Sequence, residues 1–254
     1  MKIVIVGGTG LIGSRVVSKL REQGHEAIPA APSVGVNAVT GEGLAEALKG
    51  ASVVVDTSNA PDYEDAAVLK FFRTSTSNLL AAEAAAGIGH HVVLSIVGVD
   101  RRADSGYSRA KVAQEKLLES GPIPYSIVRA TQFFEFIKGI AEAAKDGDTA
   151  RVPPALIQPI AAADVATAMA RIAVGPPLNG VIDIAGPEEF RLDDLVRRYL
   201  AARDDRRTVI ADPDARYFGG KLDERTLVPD NNSASLGEMK FDDWLSSQFV
   251  SATR

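Results

Sequence analysis

A chain of 254 residues with 46% apolar residues and a formal net charge of −5 is long enough for one large domain, or a core domain with a smaller appendage. That charge balance excludes a broad phosphate-binding face, and the one arginine-dense stretch, VRRYLAARDDRR, is interleaved with aspartates and reads as a solvated helix followed by a turn; no nucleic-acid partner is expected. The absence of cysteine rules out disulfides, thiolate metal sites and a cysteine nucleophile, and fits a cytoplasmic location.

The chain opens on KIVIV, a β-branched run that reads as a strand. Glycines break it too early for a signal peptide, and no run of about 20 apolar residues follows, so neither secretion nor a membrane span is expected. The strand leads directly into GGTGLIGSRVVSKLREQG, in which Gly7, Gly10 and Gly13 form Gly-x-x-Gly-x-x-Gly and Gly8, Gly10 and Gly13 form Gly-x-Gly-x-x-Gly. Between a strand and a helix predicted over 11–23, these glycines allow a tight turn and close backbone approach. A pyrophosphate can then sit on the unpaired amides and positive dipole of the helix start. Gly7, Thr9, Gly10, Leu11, Ile12 and Gly13 are therefore the candidate phosphate loop.

A second strand ends in EAIPAAPSVGVN. An acidic residue about 20 positions beyond the glycines would bind the ribose 2′-hydroxyl of NAD, and none stands there. Ser33 can donate a hydrogen bond to a 2′-phosphate and Arg15 can supply charge, so NADP(H) is favoured over NAD(H). A third strand-like run, SVVVDT, is followed by Thr57, Ser58 and Asn59, expected on the adenosine side of a cofactor cleft, and Asp56 reads as structural.

A helix is predicted over 65–86, then the strand HHVVLSIV, with Ser95 near its C-terminal end, where doubly wound sheets place their ligands. His90 and His91 point to opposite faces of that strand and, like His25, have no metal-ligand spacing; they read as structural, and no metal site is expected. In SGYSRAKVAQEKLL, Tyr107 and Lys111 lie one turn apart on a helix predicted over 107–119. A phenol with its ordinary pKa near 10 acts more readily as a general acid beside an ammonium that stabilises the phenolate.

The strand YSIVRA precedes a helix predicted over 132–145, with Phe133, Phe136, Ile137, Ile140 and Ala144 on its core stripe. Thr131, Gln132, Phe133 and Phe134 are candidate substrate residues, Phe133 reading also as core and Phe134 lying off the stripe. Beyond about residue 148 the elements shorten and proline increases; Tyr217 and Phe218 are further substrate candidates there, and Asp164 reads as a helix cap. The alternation of strands and helices predicts an α/β, Rossmann-type doubly wound parallel sheet. Its cofactor core would occupy 1–148, and 149–254 would complete the sheet and substrate pocket within one compact unit.

On GGTGLIG at 7–13, Ser95, and YSRAK at 107–111, the chain resembles the short-chain dehydrogenase/reductase superfamily, in its atypical NmrA-like, NAD(P)H-binding branch; the resemblance runs to about residue 185 through QPIAAADVATAMA and GVIDIAGPEE. It implies that Ser95 positions a carbonyl, that Tyr107 is the acid or base, and that Lys111 holds the nicotinamide ribose while lowering the tyrosine pKa. It also implies a homodimer formed by the helices at 65–86 and 107–119. Two departures stand out: the arginine many NmrA-like proteins carry after the second strand is absent, and VRATQFFEF lacks the epimerase pattern. The expected function is hydride transfer from NAD(P)H to a small apolar carbonyl or quinone-like substrate. The alternatives are a redox-inactive dinucleotide sensor and, third, an epimerase or isomerase.

Overall fold

Strands buried on both faces need apolar side chains without polar alternation, and this chain supplies them. All four residues of VVVD at 53–56 are buried, as are four of the five in KIVIV. The computed structural model describes residues 1–230 and 233–250. In chain order its elements begin β1 (Lys2–Val6), α1 (Gly13–Glu22), β2 (Glu26–Ala30), α2 (Leu44–Leu48), β3 (Val53–Asp56), α3 (Asp65–Ala86), β4 (His90–Ile96), α4 (Gly106–Glu119) and β5 (Tyr125–Ala130). They continue with α5 (Ile137–Ala143), β6 (Lys145–Asp146), β7 (Thr149–Val152), β8 (Leu156–Ile157), α6 (Ala162–Val174), β9 (Gly180–Ala185), β10 (Phe190–Arg191), α7 (Leu192–Ala201), β11 (Thr208–Ala211), β12 (Ser235–Leu236) and α8 (Phe241–Val250).

Seven strands form a parallel sheet in the order β12-β9-β5-β4-β3-β1-β2, the predicted Rossmann-type architecture. β1 pairs with β2 on one side and β3 on the other. Strand order therefore reverses beside β1, a switch point of the kind at whose carboxyl edge doubly wound sheets bind their ligands. The chain divides into two compact units, Met1–Arg129 with Val165–Ile182, and Ala130–Asp164 with Asp183–Arg254. The expected boundary near residue 148 falls inside the second of these, between β6 and β7.

The predicted helices over 65–86 and 107–119 form almost as read. Gly87, at φ +71°, stops α3, and Ser105 caps α4 by accepting from the Ser108 amide at 3.3 Å. The helix predicted over 132–145 departs from expectation. Residues Phe134–Phe136 form a 3₁₀ turn before α5 starts at Ile137. With three residues per turn there, the core stripe becomes Phe134, Ile137, Ile140 and Ala141, all buried, while Phe136 is 51% exposed.

The two adjacent histidines are structural, as expected. His90 Nε2 lies 2.8 Å from Ser126 Oγ, and burial, followed by the neighbouring His91 charge, lowers its pKa to about 4. On the opposite face His91 Nδ1 lies 2.8 and 3.0 Å from the two carboxylate oxygens of Glu83 on α3, and both side chains are fully buried. Burial alone would lower the His91 pKa; the Glu83 charge and hydrogen bond outweigh it and raise the pKa above its ordinary value.

Because the folded-state pKa exceeds the unfolded one, this pair stabilises fully below about pH 6.5, the unfolded value, and the contribution fades as pH rises through the folded value. Glu83→Gln is expected to lower stability by about 3 kcal/mol at pH 6, and by less at pH 9. Urea unfolding of both proteins at the two pH values measures the difference; a deficit independent of pH would contradict the charged pair.

Candidate active site

β1 ends in a loop whose glycines are explained one by one by what a Cβ would strike. Gly7 has φ +73°, and a Cβ there would lie 2.8 Å from the Ser58 amide nitrogen, so only glycine lets the β1 and β3 loops approach. At Gly13, the first residue of α1, a Cβ would sit 2.2 Å from the Gly7 carbonyl oxygen and 2.7 Å from Thr57 Oγ1. Helix and loop thus pack backbone to backbone. Gly10 differs, because its Cβ would meet only the Gly7 carbonyl oxygen at 3.2 Å. It is exposed, and a Cβ there would be less crowded than one at Gly7 or Gly13.

The predicted loop residues divide accordingly. Thr9 and Gly10 are exposed, Leu11 is half-buried, and Ile12 packs into the core, leaving only its backbone for a ligand. Arg15 is exposed and donates to the Leu11 carbonyl at 2.6 Å. Ser33, also exposed, follows β2 in a short 3₁₀ turn and donates to Thr9 Oγ1 at 3.4 Å, which brings it to the mouth of the loop. Thr57 Oγ1 donates to the Val6 carbonyl at 2.9 Å, tying the segment after β3 to the end of β1. Ser58 Oγ is buried and without a hydrogen-bond partner among the described residues.

Tyr107 stands half-buried at the start of α4, its ring edge-on to Phe72 at 5.9 Å. Its hydroxyl donates to Asn59 Oδ1 at 2.8 Å. The structure thus joins a predicted acid to a predicted cofactor residue, a pairing that no spacing along the chain reveals. The expected effect of Lys111 on Tyr107 is not found: burial, and then Tyr63, raise the phenol's pKa above its ordinary value. The physical reason is that the ammonium is occupied elsewhere. Lys111 is 3% exposed and donates to the Leu94 carbonyl at 2.8 Å and to Gln114 Oε1, with the Phe72 ring face 4.5 Å away. Burial lowers its pKa to about 8, against the opposing pull of Asp56 and Glu115.

Gln114 in turn donates to Asp56 Oδ2 at 3.0 Å, and Asp56 Oδ1 accepts from the Ser58 amide at 2.9 Å. Asp56 is therefore structural, as read. Ser95 is drawn into a separate buried network, donating to Glu115 Oε1 at 2.5 Å. Arg129 grips the Glu115 carboxylate with two donors, at 3.0 and 2.7 Å, and reaches Asp100 at 2.8 Å. Among the described residues, Ser95, Tyr107 and Lys111 each hydrogen-bond to a different partner and not to one another. Glu115 and Gln114 escaped the sequence reading because a carboxylate and an amide on an amphipathic helix look like solvated surface.

The remaining candidates lie in the second unit. Thr131 Oγ1 and Gln132 Oε1 are buried without hydrogen-bond partners among the described residues. Phe133 is half-buried and stacks on Phe136 at 5.1 Å, so Phe133 and Phe136 form a partly exposed pair rather than the expected core stripe. Phe134, expected off the stripe, is a core residue, 1% exposed and packed on Phe241 and Trp244 at 5.6 and 5.4 Å. Tyr217 is buried, whereas Phe218 is 58% exposed with its ring 4.8 Å away. Asp164 lies within the first turn of α6 rather than capping it, and accepts from the amides of Glu238 and Met239. Among the described residues no cluster of histidine and carboxylate groups could hold a metal, and no helix is long and apolar enough to cross a membrane.

Residues 7–176 match the NAD(P)H-binding family. Over 153 residues the chain is 26% identical to the photosystem II assembly factor Ycf39 of Synechocystis sp., covering 55% of this chain and 47% of that protein. It spans about half the length of the curated relatives it matches. A short-chain dehydrogenase/reductase superfamily protein from Agrobacterium tumefaciens, solved with bound NAD, is 17% identical over 100% of this chain and 97% of that one, with a TM-score of 0.75. A dTDP-4-dehydrorhamnose reductase from Bacillus anthracis, in complex with NADP, is 12% identical over 99% of each chain, with a TM-score of 0.73. At such identities the solved structures establish the shared fold. The family match covers the glycine loop, Asn59, Ser95, Tyr107 and Lys111 together, and the chain belongs to the NAD(P)H-binding family.

Proposed function

We propose that the protein is an NAD(P)H-dependent oxidoreductase that reduces a small apolar carbonyl or quinone-like substrate and prefers NADP(H). The observation that carries this reading is the hydrogen bond from Tyr107 to Asn59, which holds a phenol beside the segment following β3. When bound, the dinucleotide supplies the hydride. The Gly7 to Gly13 backbone and the start of α1 receive its pyrophosphate, with Thr57, Ser58 and Asn59 lining the adjoining cleft. Ser33 and Arg15 receive the 2′-phosphate, in a place where no carboxylate repels it.

Negative charge develops on the acceptor oxygen as hydride arrives, and Tyr107, kept protonated by burial, donates its proton there. Lys111 and Ser95 act through position, pinning α4 to β4 and so fixing where Tyr107 stands in the first turn of that helix. In the second unit, Thr131 and Gln132 carry buried oxygens without hydrogen-bond partners among the described residues, and Phe218 carries an exposed ring.

A second reading, a dinucleotide sensor without turnover, is favoured by one observation: the Lys111 ammonium and the Ser95 proton are both engaged inside the protein. The matched relatives are also named for assembly rather than for a reaction.

Loss of NADPH absorbance against a panel of aldehydes, ketones and quinones separates the two readings. Tyr107→Phe is expected to lower turnover by about two orders of magnitude with cofactor affinity unchanged. Dinucleotide binding without turnover on any acceptor would favour the sensor. Two glycine substitutions test the loop. Gly10→Ala should weaken dinucleotide binding about tenfold or more at a smaller cost in melting temperature than Gly13→Ala, because the two methyl groups would lie 3.2 and 2.2 Å from the Gly7 carbonyl oxygen. For cofactor choice, Ser33→Asp should shift the NADPH to NADH affinity ratio about tenfold toward NADH, through repulsion of the 2′-phosphate; an unchanged ratio would remove Ser33 from that role.

A further inference from the structure

We propose that Tyr63 is the substrate platform of this site, its exposed ring taking a neutral, planar, conjugated acceptor such as a quinone or aryl ketone. The proposal rests on the oxidoreductase reading above and names its substrate class. Tyr63 lies in the segment between β3 and α3 and is 64% exposed, the most exposed large hydrophobic side chain among the described residues. An exposed tyrosine on a loop ordinarily turns freely, with only its own rotamer preferences to hold it. This one is fixed from two sides. Asn59 Nδ2 donates to its hydroxyl at 3.1 Å, and its ring lies 5.9 Å from that of Tyr107, tilted by 30°.

The Asn59 side chain is the link. Its Oδ1 accepts from the Tyr107 hydroxyl at 2.8 Å and from the Ala60 amide at 3.0 Å, while its Nδ2 serves Tyr63. The two phenol oxygens are thus separated by one carboxamide. A ring resting on Tyr63 lies within reach of the group that delivers the proton. Beneath Tyr107, Phe72 meets its ring edge-on, so aromatic packing continues from solvent at Tyr63 into the core at Phe72.

The choice of ligand follows from what surrounds that ring. A flat π-system on an aromatic face gains about 0.5–1.5 kcal/mol beyond its buried area, a gain denied to a saturated chain. Asp62 and Glu64 flank Tyr63 and are exposed, and Asp65 follows, paired with Arg109 at 2.6 Å. This acidic rim opposes phosphates and carboxylates, so the surface suits a neutral ring and disfavours a nucleotide sugar.

The test uses the full chain with Tyr63→Leu, which keeps apolar volume and loses the π face, and Tyr63→Phe, which keeps the ring and loses the hydroxyl. Equilibrium dialysis of 1,4-naphthoquinone against NADPH-free protein gives Kd, and initial rates with NADPH give KM and kcat for naphthoquinone and for a branched aliphatic aldehyde. The expected result is a rise of about tenfold in Kd and KM for naphthoquinone in Tyr63→Leu, falling on KM rather than kcat. Tyr63→Phe should restore most of the affinity, and the aldehyde KM should move by less than about twofold. Equal losses on both acceptors, or naphthoquinone binding indifferent to Tyr63→Leu, would overturn the platform. If no acceptor is turned over, the oxidoreductase reading fails, and dialysis still decides the platform: naphthoquinone bound by the wild type and lost in Tyr63→Leu supports it, and no binding by the wild type refutes it.

Discussion

A lysine can be buried only if its ammonium finds acceptors, and Lys111 meets that condition by tying three elements together. Its donors reach the Leu94 carbonyl on β4 and Gln114 one turn along α4, and Gln114 passes the connection to Asp56 at the end of β3. Asp56 then orders the following segment through the Ser58 amide. The place where α4 begins, and the path of residues 57–59 toward Tyr107, both follow from this one chain of contacts. Removing any member would leave a buried polar group without its partner, which is why the chain holds together as a unit.

The glycine loop solves a different problem with the same economy of space. Gly7 and Gly13 are needed by the protein itself, because side chains there would collide with Ser58 and with the Gly7 carbonyl. Gly10 is exposed and less crowded, its Cβ meeting only the Gly7 carbonyl oxygen at 3.2 Å. A single motif therefore mixes glycines that the fold itself requires with one under less steric demand, and the distances to a hypothetical Cβ distinguish them. The second buried network, in which Arg129 and Glu115 hold Ser95, gives β4 and β5 a shared anchor on α4.

The parallel sheet and the helices around the cofactor loop were legible because strand burial on two faces and helical period leave strong marks in sequence. KIVIV, YSIVRA and the helix over 65–86 form where the pattern places them. The segment after β5 departs from its apparent periodicity because 3.6 residues per turn does not hold from its start. One 3₁₀ turn moved Phe134 into the core and Phe136 out of it. The candidate acid could be found by its spacing to Lys111, but what that spacing meant could not: the lysine faces β4, and the partner of Tyr107 is an asparagine 48 positions earlier. Tyr63 left no mark at all, since its significance lies in a hydrogen bond made through that asparagine.

The chain passes between its two compact units three times, after Arg129, after Asp164 and after Ile182. During synthesis the first unit cannot be completed when β5 emerges, because α6 and the start of β9 are still to come. The nascent strands must wait, with part of their apolar surface uncovered, while 35 residues belonging to the other unit are made. No single cut in the chain separates the two units, and a stop codon before Ile182 leaves both incomplete. Chaperone demand in this protein should therefore be set by the length of that detour rather than by the stability of either unit alone.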